Sequence, residues 1–479
     1  MAKHDYTVPL FISGEERVTE ATFNVMSPAT GEAIHKCSSA SQADAEDAVN
    51  DAAKAFPAWR KLPPAKRRKY FLKAAEVMES RREELAGYMV NETGSTQQWA
   101  DFNLSTAIEI LEDVAGRTVT IEGSVVNTAN ENVTAMVLKE PYGVVLGIAP
   151  WNAPYILGVR AIAYPLAAGN TAIFKGSELS PRVMWAIVSC FHQAGFPAGV
   201  VNLIIHAPRD APAITSALVA NPVIKKINFT GSTGVGRIIA KLAAEHLKPV
   251  LLELGGKAPA IVWEDADLTQ AAVQCTLGAF LHAGQICMST ERIIVHKTVR
   301  AQFERELVVA MDNIFPAKGD APVLISNAAM RKTAKLIRDA LDKGASVVAG
   351  EVPTGDGSGT TTRMRPIAVG GISPEMDLYA TESFGPSVAL FEIATEEEAL
   401  RLANDTKYGL SSAVFTSDMR MALRFAREIE TGAVHINSMS VHDEPGLPHG
   451  GAKASGYGRF NASVGLDEWV RTKTVTFSV

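Results

Sequence analysis

Short apolar runs bounded by glycine, proline or asparagine begin at Val144 and alternate with helical segments. The runs read VVLGIAP, TAIFKGS, GVVNLII, IKKINFTGS and PVLLELGG, and helical stretches such as PRVMWAIVSCFHQAGF and GVGRIIAKLAAEHL separate them. Apolar runs without polar alternation are typical of parallel strands in a sheet that is covered on both faces. The pattern therefore predicts a doubly wound α/β domain.

A second series of the same kind follows, with the runs APAIVW, RIIVH, SVALFEI, SAVFTS and GAVHIN between further helices. A chain of 479 residues is longer than one compact core usually supports. We expect two α/β lobes with a ligand-binding crevice between them. The stretch 352–365, which is rich in glycine and threonine, is predicted to be a surface loop.

Charge, cysteine spacing and the length of the apolar runs argue against several classes of protein. The formal charge of −6 gives no electrostatic reason to expect a nucleic-acid or membrane partner. The four cysteines lie far apart, without CxxC spacing or clustered histidines, so we expect neither a disulfide framework nor a bound metal. The first apolar run, VPLFI, is too short for a signal-peptide core, and no run reaches membrane-spanning length. A cytoplasmic location is expected.

Two strand-like pieces, NVTAMVLKEPYG and the tail DEWVRTKTVTFSV, stand outside both series. Alternating strands of this kind at the end of a chain often pair with another subunit. A homo-oligomer is therefore expected.

The stretch GQICMSTE places Cys287 among small and polar residues after an apolar helix. Free cysteines are among the most often buried residues, and most of them are inert. A lone cysteine therefore leaves two interpretations open, a buried thiol or a nucleophile.

The segment INFTGSTGVGRIIAKLA predicts a strand, a glycine-rich turn and a helix. The free N–H groups at such a helix start bind anions, and the Ser232 hydroxyl adds a phosphate contact. Gly231, Gly234 and Gly236 do not have the GxGxxG spacing of the dinucleotide fingerprint, so a plain tight turn remains an alternative.

The segment TAIFKGSE places Lys175 and Glu178 at the carboxyl end of a predicted strand, the edge where doubly wound sheets bind ligands. A lysine and a carboxylate there can hold the hydroxyls of an adenosine ribose. Glu178 would repel a 2′-phosphate, which favours NAD and leaves NADP possible. The alternative is a solvated loop.

Two further strand ends carry polar residues. In IAPWNAPYILG, the Asn152 amide follows a strand and can stabilise an oxyanion beside the Trp151 indole, or it only satisfies the backbone of a turn. In LLELGGKAPAIV, Glu253 ends an apolar strand before two glycines that permit close backbone approach, and a carboxylate in a dry pocket suits a general base. Together with Cys287, these groups suit thiol-mediated oxidation of an aldehyde.

Eight motifs occur in one order along the chain: PWNAP, FKGSE, FTGSTGVG, LELGGKAP, GQICMS, ESFGP, YGLSS and LPHGGAKASGYGR. In these motifs the sequence resembles the NAD(P)-dependent aldehyde dehydrogenases over nearly its full length. The resemblance implies that Cys287 is the nucleophile and Glu253 the general base. It also implies an oxyanion hole made by Asn152 and the backbone N–H of Cys287.

The resemblance implies a set of cofactor contacts, in which Glu382 holds the nicotinamide ribose and Phe384 packs near the nicotinamide. The remaining implied contacts are Trp151, Lys175, Glu178, Gly231, Ser232 and Gly236.

The resemblance also implies the aldehyde dehydrogenase fold, which is a Rossmann-like cofactor domain, an α/β catalytic domain and a small β arm that joins subunits into dimers or tetramers. The expected division is residues 1–122 and 142–253 for the NAD-binding domain, 254–440 for the catalytic domain, and 123–141 with 462–479 for the oligomerisation arm.

Three positions depart from the family pattern. Gly176 replaces a usual proline, the segment 314–331 is more compact than usual, and His449 stands where an aromatic residue is common. Their effect on the pocket is left open.

Within the family, PWNAPYILGVRAIAYPLAAGN and GQICMSTERIIVH are most similar to dehydrogenases of aromatic aldehydes, of the vanillin, benzaldehyde and salicylaldehyde type. Helical spacing places Leu157 and Arg160 on one face of the helix after Asn152. We hypothesise that Arg160 contacts a ring hydroxyl, with a salt bridge to an acid elsewhere as the alternative. The loop NSMSVHDEPGLPHGG is expected opposite, with Asp443 and its two polar neighbours solvated.

Three other functions are weighed. A CoA-acylating semialdehyde dehydrogenase has no need of a water-activating Glu253. A cofactor-free thiol hydrolase has no use for the glycine turn, Lys175 or Glu382, and no histidine adjoins Cys287 in the sequence. A non-catalytic protein that kept the fold does not account for the intact set of Cys287, Glu253 and Asn152.

Overall fold

The computed structural model describes residues 6–353 and 362–478. Most of the stretch predicted to be a surface loop, residues 354–361, lies outside the described residues. The same holds for residues 1–5 and 479, at the ends of the predicted NAD-binding domain and arm.

An eight-stranded sheet forms the first lobe. Its five central strands are parallel, and the antiparallel strands lie at its edges. In spatial order the strands are Gly456–Tyr457, Val250–Glu253, Ile224–Thr230, Val144–Ile148, Thr171–Lys175, Val201–Ile204, Leu10–Ile12 and Glu15–Arg17.

A seven-stranded sheet forms the second lobe, with six parallel strands and one antiparallel edge strand. On its strand Ala258–Val262, Ala260 packs in one apolar cluster and Ile261 in another, so both faces of the sheet are covered. This explains the absence of polar alternation in the sequence, and the predicted α/β fold is confirmed. In spatial order the strands are Ser346–Gly350, Ile367–Gly370, Ser387–Ile393, Thr290–His296, Ala258–Val262, Ser412–Phe415 and Val434–Ile436.

The remaining strands form smaller sheets. The two leftover strand-like segments pair antiparallel over nine residues, Val470–Ser478 with Val133–Pro141, and Ser124–Val126 joins as a third strand. This three-stranded sheet leaves large apolar side chains exposed, including Val125 and Phe477. The other small sheets consist of Thr7–Val8, Ala33–Ser38 and Thr22–Met26, and of Tyr408–Gly409 and Ala452–Lys453.

Most helices begin where a side-chain oxygen or a proline suits the first turn. Ser41, for example, forms a reciprocal capping box with Asp44. No helix within residues 6–353 and 362–478 has the length and apolar character needed to span a membrane. The α-helices are Gln42–Lys61, Pro64–Ser80, Arg82–Thr93, Gln97–Arg117, Pro154–Ala167, Pro181–Gln193, Ala211–Ala220, Thr233–Glu245, Leu268–Phe280, Arg300–Ile314, Asn327–Asp342, Asp377–Ala380, Glu396–Asn404, Met419–Glu428 and Ala462–Asp467.

The carboxyl ends of the first lobe's parallel strands converge on one edge. Strands there end at Lys175, Thr230 and Glu253, and the strand Val144–Ile148 leads into the segment that carries Asn152. The helix after that segment, Pro154–Ala167, is buried along its whole length. Four of the motifs identified in the sequence therefore lie at one sheet edge, and the helix beyond Asn152 forms an inner wall.

Candidate active site

A cavity of about 700 Å³ opens at this edge and contains Cys287 in its lining. Asn152 and the helix Pro154–Ala167 line one side, and the segments around residues 280–288, 314–323 and 439–449 line the others. A volume of this size is typical of a small-molecule site.

The backbone before Cys287 adopts an unusual conformation that fixes the position of the thiol. His282 and Ala283 have positive φ values of 47° and 58°. Gly284 follows at 70°, and a Cβ there would lie 2.3 Å from the Gly385 carbonyl oxygen. Non-glycine residues in this region cost about 1–3 kcal/mol each and concentrate at functional sites.

The Cys287 thiol is half-buried and carries no disulfide. Burial, together with the neighbouring Glu253 carboxylate, raises the pKa of this thiol well above its ordinary value. The resting side chain is therefore a neutral thiol, and a nearby base must remove its proton before the sulfur can attack a carbonyl.

Two hydrogen bonds fix Asn152, which lines the same cavity as Cys287. Its side-chain Nδ2 donates to the Gln285 backbone carbonyl at 2.9 Å, and its backbone carbonyl accepts from Trp99 Nε1 at 3.1 Å. Gln285 is itself fixed, because its Nε2 donates to the Val323 carbonyl at 3.1 Å. The second amide hydrogen of Asn152 remains available to a ligand in the cavity.

Glu253 ends its strand as a buried carboxylate, with a side chain that is 1% exposed. Its Oε1 accepts no hydrogen bond from the described residues, and His449 Nε2 lies 3.6 Å away. The two glycines that follow Glu253 permit close backbone contact, since a Cβ on Gly256 would lie 2.2 Å from the Cys287 carbonyl oxygen. A single segment therefore brings a carboxylate and the cysteine backbone to the same place.

Glu382 lies on the other side of the cysteine. Its Oε1 accepts a hydrogen bond from the Gly256 N–H at 2.9 Å, and its side chain fills the space that a Cβ on Gly255 would need. Burial, followed by the charge of Glu291, raises its pKa from the ordinary value of 4.5 to about 7. This carboxylate therefore changes charge near neutral pH.

Phe384 and Trp151 form an aromatic edge beside Glu382. Phe384 adopts a positive φ of 50°, and its ring meets Trp151 edge to face with centroids 6.2 Å apart. Its backbone N–H donates to Glu291 Oε1 at 3.2 Å, and Glu291 is paired with Lys257 at 2.7 Å. A buried ion pair thus supports the backbone that presents Phe384.

Lys175 and the glycine turn carry features that suit a dinucleotide. The Lys175 ammonium forms no hydrogen bond or ion pair among the described residues, and burial lowers its pKa while the charge of Glu178 opposes the shift. Ser232 caps the helix Thr233–Glu245 by accepting from the Val235 N–H at 3.4 Å. A Cβ on Gly236 would lie 2.4 Å from Leu254. A buried unpaired cation and an exposed helix start fit ribose hydroxyls and a pyrophosphate.

The chain matches the aldehyde dehydrogenase family over residues 15–475. It is 43% identical to a vanillin dehydrogenase of Pseudomonas sp. (strain HR199 / DSM 7063), and the match covers 98% of each chain. A crystal structure of a salicylaldehyde dehydrogenase from Pseudomonas putida G7 complexed with salicylaldehyde has a TM-score of 0.95 and 38% identity over 99% of this chain and 98% of that one. A betaine aldehyde dehydrogenase from Staphylococcus aureus in complex with NAD+ has a TM-score of 0.93 and 30% identity over 98% and 95%. The chain belongs to the aldehyde dehydrogenase family.

In this aldehyde dehydrogenase, the predicted site residues fall into two groups around one sulfur. Asn152, Leu157 and Arg160 line the cavity with Cys287, and Glu253 interacts with the Cys287 side chain. The predicted cofactor residues lie at the sheet edge and around Gly255. The resemblance to aromatic aldehyde dehydrogenases is confirmed by the relatives, and the enzyme acts on aldehydes.

Arg160 forms an ion pair with Asp443, which is the alternative that the sequence left open. Their side chains are 1% and 8% exposed, so the expectation that Asp443 is solvated is wrong. Burial acts to lower the pKa of Arg160, but the charge and hydrogen bond of Asp443 outweigh it, so the Arg160 pKa is raised. Burial acts to raise the pKa of Asp443, but the charge of Arg160 helps to lower it below its ordinary value. Arg160 Nε and Nη1 remain buried and without a hydrogen-bond partner among the described residues.

The aromatic wall of the cavity was not identified from the sequence. Trp99 stacks on Phe102 with centroids 5.3 Å apart and on His282 at 5.5 Å. Phe280 meets Phe315 edge to face at 6.0 Å. Helical periodicity predicts only that Trp99 and Phe280 are buried, and no local motif joins the wall residues to Cys287.

The compact segment 314–331 contributes to the cavity. Phe315 and Val323 line it, and Val323 forms a β-bridge with Arg363. The compact segment therefore lies at the cavity that contains Cys287 and not only on a surface loop.

Proposed function

We propose that this enzyme oxidises an aromatic aldehyde to the carboxylic acid with NAD as the hydride acceptor. The observation that carries the proposal is the placement of Cys287 in a cavity walled by stacked aromatic rings, with Glu253 beside the sulfur. The aromatic substrate is further supported by the names of the vanillin and salicylaldehyde relatives.

The first step uses Cys287 and the groups that face it. Loss of the thiol proton to Glu253 gives a thiolate, which attacks the aldehyde carbon and forms a thiohemiacetal. The free Asn152 amide hydrogen and the Cys287 N–H donate to the developing oxyanion. Hydride loss converts the adduct to a thioester on Cys287. Glu253 must lose the thiol proton before it takes one from a water molecule that attacks the thioester. The C–S bond then breaks, the acid leaves, and Glu253 returns the second proton to the Cys287 thiolate.

The cofactor site is assigned to residues of this chain. The Gly231–Gly236 turn, with Ser232, would hold the pyrophosphate, and Lys175 with Glu178 the adenosine ribose. Glu382 would hold the nicotinamide ribose beside Phe384 and Trp151. When bound, NAD supplies the hydride acceptor. The carboxylate of Glu178 disfavours a 2′-phosphate, which is the reason for proposing NAD before NADP.

Leu157 and Arg160 are proposed as determinants of the aromatic substrate. Leu157 presents an apolar surface to the cavity. Arg160 Nη2 donates to Asp443, while Arg160 Nε and Nη1 are buried without a hydrogen-bond partner among the described residues. A substrate ring hydroxyl that accepts from these N–H groups would offset the cost of burying them unpaired.

The test is NADH formation over a panel of aldehydes, run with NAD and with NADP. We expect higher kcat/KM for benzaldehyde and its hydroxylated derivatives than for short aliphatic aldehydes, and a preference for NAD. Absence of NADH with every aldehyde contradicts the dehydrogenase assignment. An Arg160→Met variant that changes kcat/KM equally for benzaldehyde and hydroxybenzaldehydes contradicts the role of Arg160.

We also propose the three-part division given above, with boundaries near residues 122, 141 and 253, and an arm that joins subunits. The exposed Val125 and Phe477 on the three-stranded sheet support a partner for that sheet. Light scattering coupled to size exclusion is expected to give a dimer or a tetramer, and a monomer at micromolar concentration contradicts the role of the arm.

A further inference from the structure

Glu253 is buried, and a buried base needs a path by which it releases the proton that it accepts. In each turnover this carboxylate accepts the Cys287 proton, and it must release that proton before it can activate water. Its side chain is 1% exposed, so the carboxylate has little direct contact with solvent. The structure needs a route that carries protons from Glu253 to solvent.

His449 is the titratable neighbour placed for this task. Its Nε2 lies 3.6 Å from Glu253 Oε1, an oxygen that accepts no hydrogen bond within the described residues. Two backbone hydrogen bonds with Phe460, at 2.9 and 2.7 Å, hold the His449 backbone in place. The separation is slightly longer than a hydrogen bond, and such contacts in ligand-free sites commonly tighten or are bridged by one water molecule.

A second, smaller cavity lies on the other side of His449. Its volume is about 40 Å³, and His435, His442 and Glu444 line it together with His449. About 10–15 Å³ is enough to hold a water molecule where polar groups are present to bind it, and the imidazoles and the Glu444 carboxylate supply such groups in a mostly apolar lining. His449 also lines the large cavity, so this residue borders both spaces.

The smaller cavity leads outward through His442. The His435 and His442 rings lie 5.0 Å apart, and His442 Nε2 contacts Glu444 Oε1 at 2.8 Å. The His442 side chain is 36% exposed and that of Glu444 58% exposed, so this pair reaches solvent. From Glu253 to the surface, the groups that can carry a proton are therefore the Glu253 carboxylate, the His449 imidazole, water in the smaller cavity and the His442 imidazole.

Other charged groups around His449 do not provide the same route. Asp443 is occupied by Arg160 and by Asn461 Nδ2 at 2.9 Å, and Arg459 donates to the Gly451 and Gly458 carbonyls. The Cys287 thiol lies beside Glu253 and is the source of the proton that Glu253 accepts, not an outlet for it. No group of three or more histidine, cysteine or acidic side chains in the described part of the chain is arranged to hold a metal ion. The histidine cluster is therefore better suited to protons than to a cation.

We propose that His449 takes the proton from Glu253 and passes it through the smaller cavity to His442 and solvent. The proposal rests on the proposed function, because it requires Glu253 to cycle as a base. The balance is simple: the Glu253 O–H bond breaks as an N–H bond forms at His449 Nε2, and the other ring nitrogen then releases its proton outward. No electron moves and the imidazole returns to its neutral form.

The test compares hydride transfer with thioester hydrolysis in His449→Phe, using unsubstituted benzaldehyde and NAD. Phenylalanine keeps an aromatic ring in the cavity wall but accepts no proton. We expect a normal first turnover of NADH, followed by a steady-state rate lowered on the order of tenfold or more. Intact-protein mass spectrometry should show the acyl group accumulating on Cys287. Added imidazole should restore part of the steady-state rate, and His442→Gln should show a smaller loss of the same kind.

His192→Gln is the matched control, because it removes an exposed imidazole on a helix remote from Glu253. An unchanged kcat in His449→Phe overturns the proposal, and so does a lower kcat without accumulation of acylated Cys287 or without imidazole rescue. If His449→Phe misfolds by circular dichroism, His442→Gln carries the same test on its own. If the wild-type enzyme forms no NADH, the proposed function is contradicted instead. The proton relay is tested separately, by comparing the rate of NADH formation in the first turnover with the rate in later turnovers.

Discussion

The two sides of the Cys287 sulfur are built in different ways. On the side that we propose for NAD (the cofactor side), the site consists of strand ends, glycines and a helix start, with the Gly255–Gly256 backbone against Glu382 and Cys287. On the side that we propose for the aldehyde (the aldehyde side), it consists of side chains from segments far apart in the sequence, such as Trp99, Phe315 and Asp443. Backbone geometry is encoded in short motifs, whereas a packed wall depends on the whole fold.

This difference predicts that the two sides respond separately to mutation. Changes at the sulfur should stop chemistry while the cofactor side remains assembled. Changes on the aldehyde side should alter stability and selectivity together, because the same buried groups serve both.

The largest effect is expected for Cys287→Ala. Without the nucleophile, NADH formation from aldehyde should fall below detection, while NAD binding measured by calorimetry stays within a fewfold of wild type. Cys275→Ala is the control, since Cys275 is fully buried, and burial alone raises its pKa. An active Cys287→Ala enzyme would overturn the assignment of the nucleophile.

The next effect concerns Glu253→Gln, which keeps the shape of the side chain and removes the base. We expect turnover to fall by about 10²–10⁴-fold, the usual contribution of a general base. The acyl group should remain on Cys287 after a single turnover, as measured by mass spectrometry. Glu109→Gln, on the exposed face of the helix Gln97–Arg117, should have wild-type activity. Equal rates in Glu253→Gln and wild type would remove Glu253 from the mechanism.

The sequence specifies the strand-end backbone of the proposed cofactor side more completely than the packed wall of the proposed aldehyde side, for a physical reason. A strand end followed by glycine, as in the segments around Gly231 and Glu253, specifies local backbone geometry, so its place in a parallel sheet follows. The aromatic wall depends on how helices pack, and Trp99 carries no local sign that it will stack on His282. Periodicity predicts that such a residue is buried but not which cavity it faces.

Asp443 illustrates the same limit. A polar residue in a loop of mixed composition is most often solvated, and only the tertiary structure places this one against Arg160. His449 was recognised as a departure from an aromatic position. Its approach to Glu253 is visible only when the loop 439–449 is folded over the strand end.

Asp443→Asn tests whether the aldehyde side is held by this ion pair. Removing one partner of a buried ion pair leaves an uncompensated charge, so we expect the free energy of unfolding to fall by about 3–5 kcal/mol. Urea denaturation measures this change. The double variant Arg160→Met with Asp443→Leu should recover most of this loss, because it removes both charges. A single variant as stable as wild type would mean that Arg160 finds another partner or that water reaches it.

The smallest effect is a pH dependence on the cofactor side, carried by Glu382. Because its pKa is raised to about 7, the folded protein retains a proton there that the unfolded chain loses near pH 4.5. The contribution of Glu382 to stability therefore falls as pH rises between these values and is constant above about 7.

Ionised Glu382 accepts hydrogen bonds from ribose hydroxyls better than the protonated acid does, so NAD affinity should increase severalfold between pH 6 and pH 8. Calorimetric titration across that range should give a rising affinity for wild type and a flat one for Glu382→Gln. Because Glu382 touches the Gly256 backbone and not the cavity wall, this change should leave aldehyde selectivity untouched, and a shift in selectivity would mean that the two sides of the sulfur are coupled.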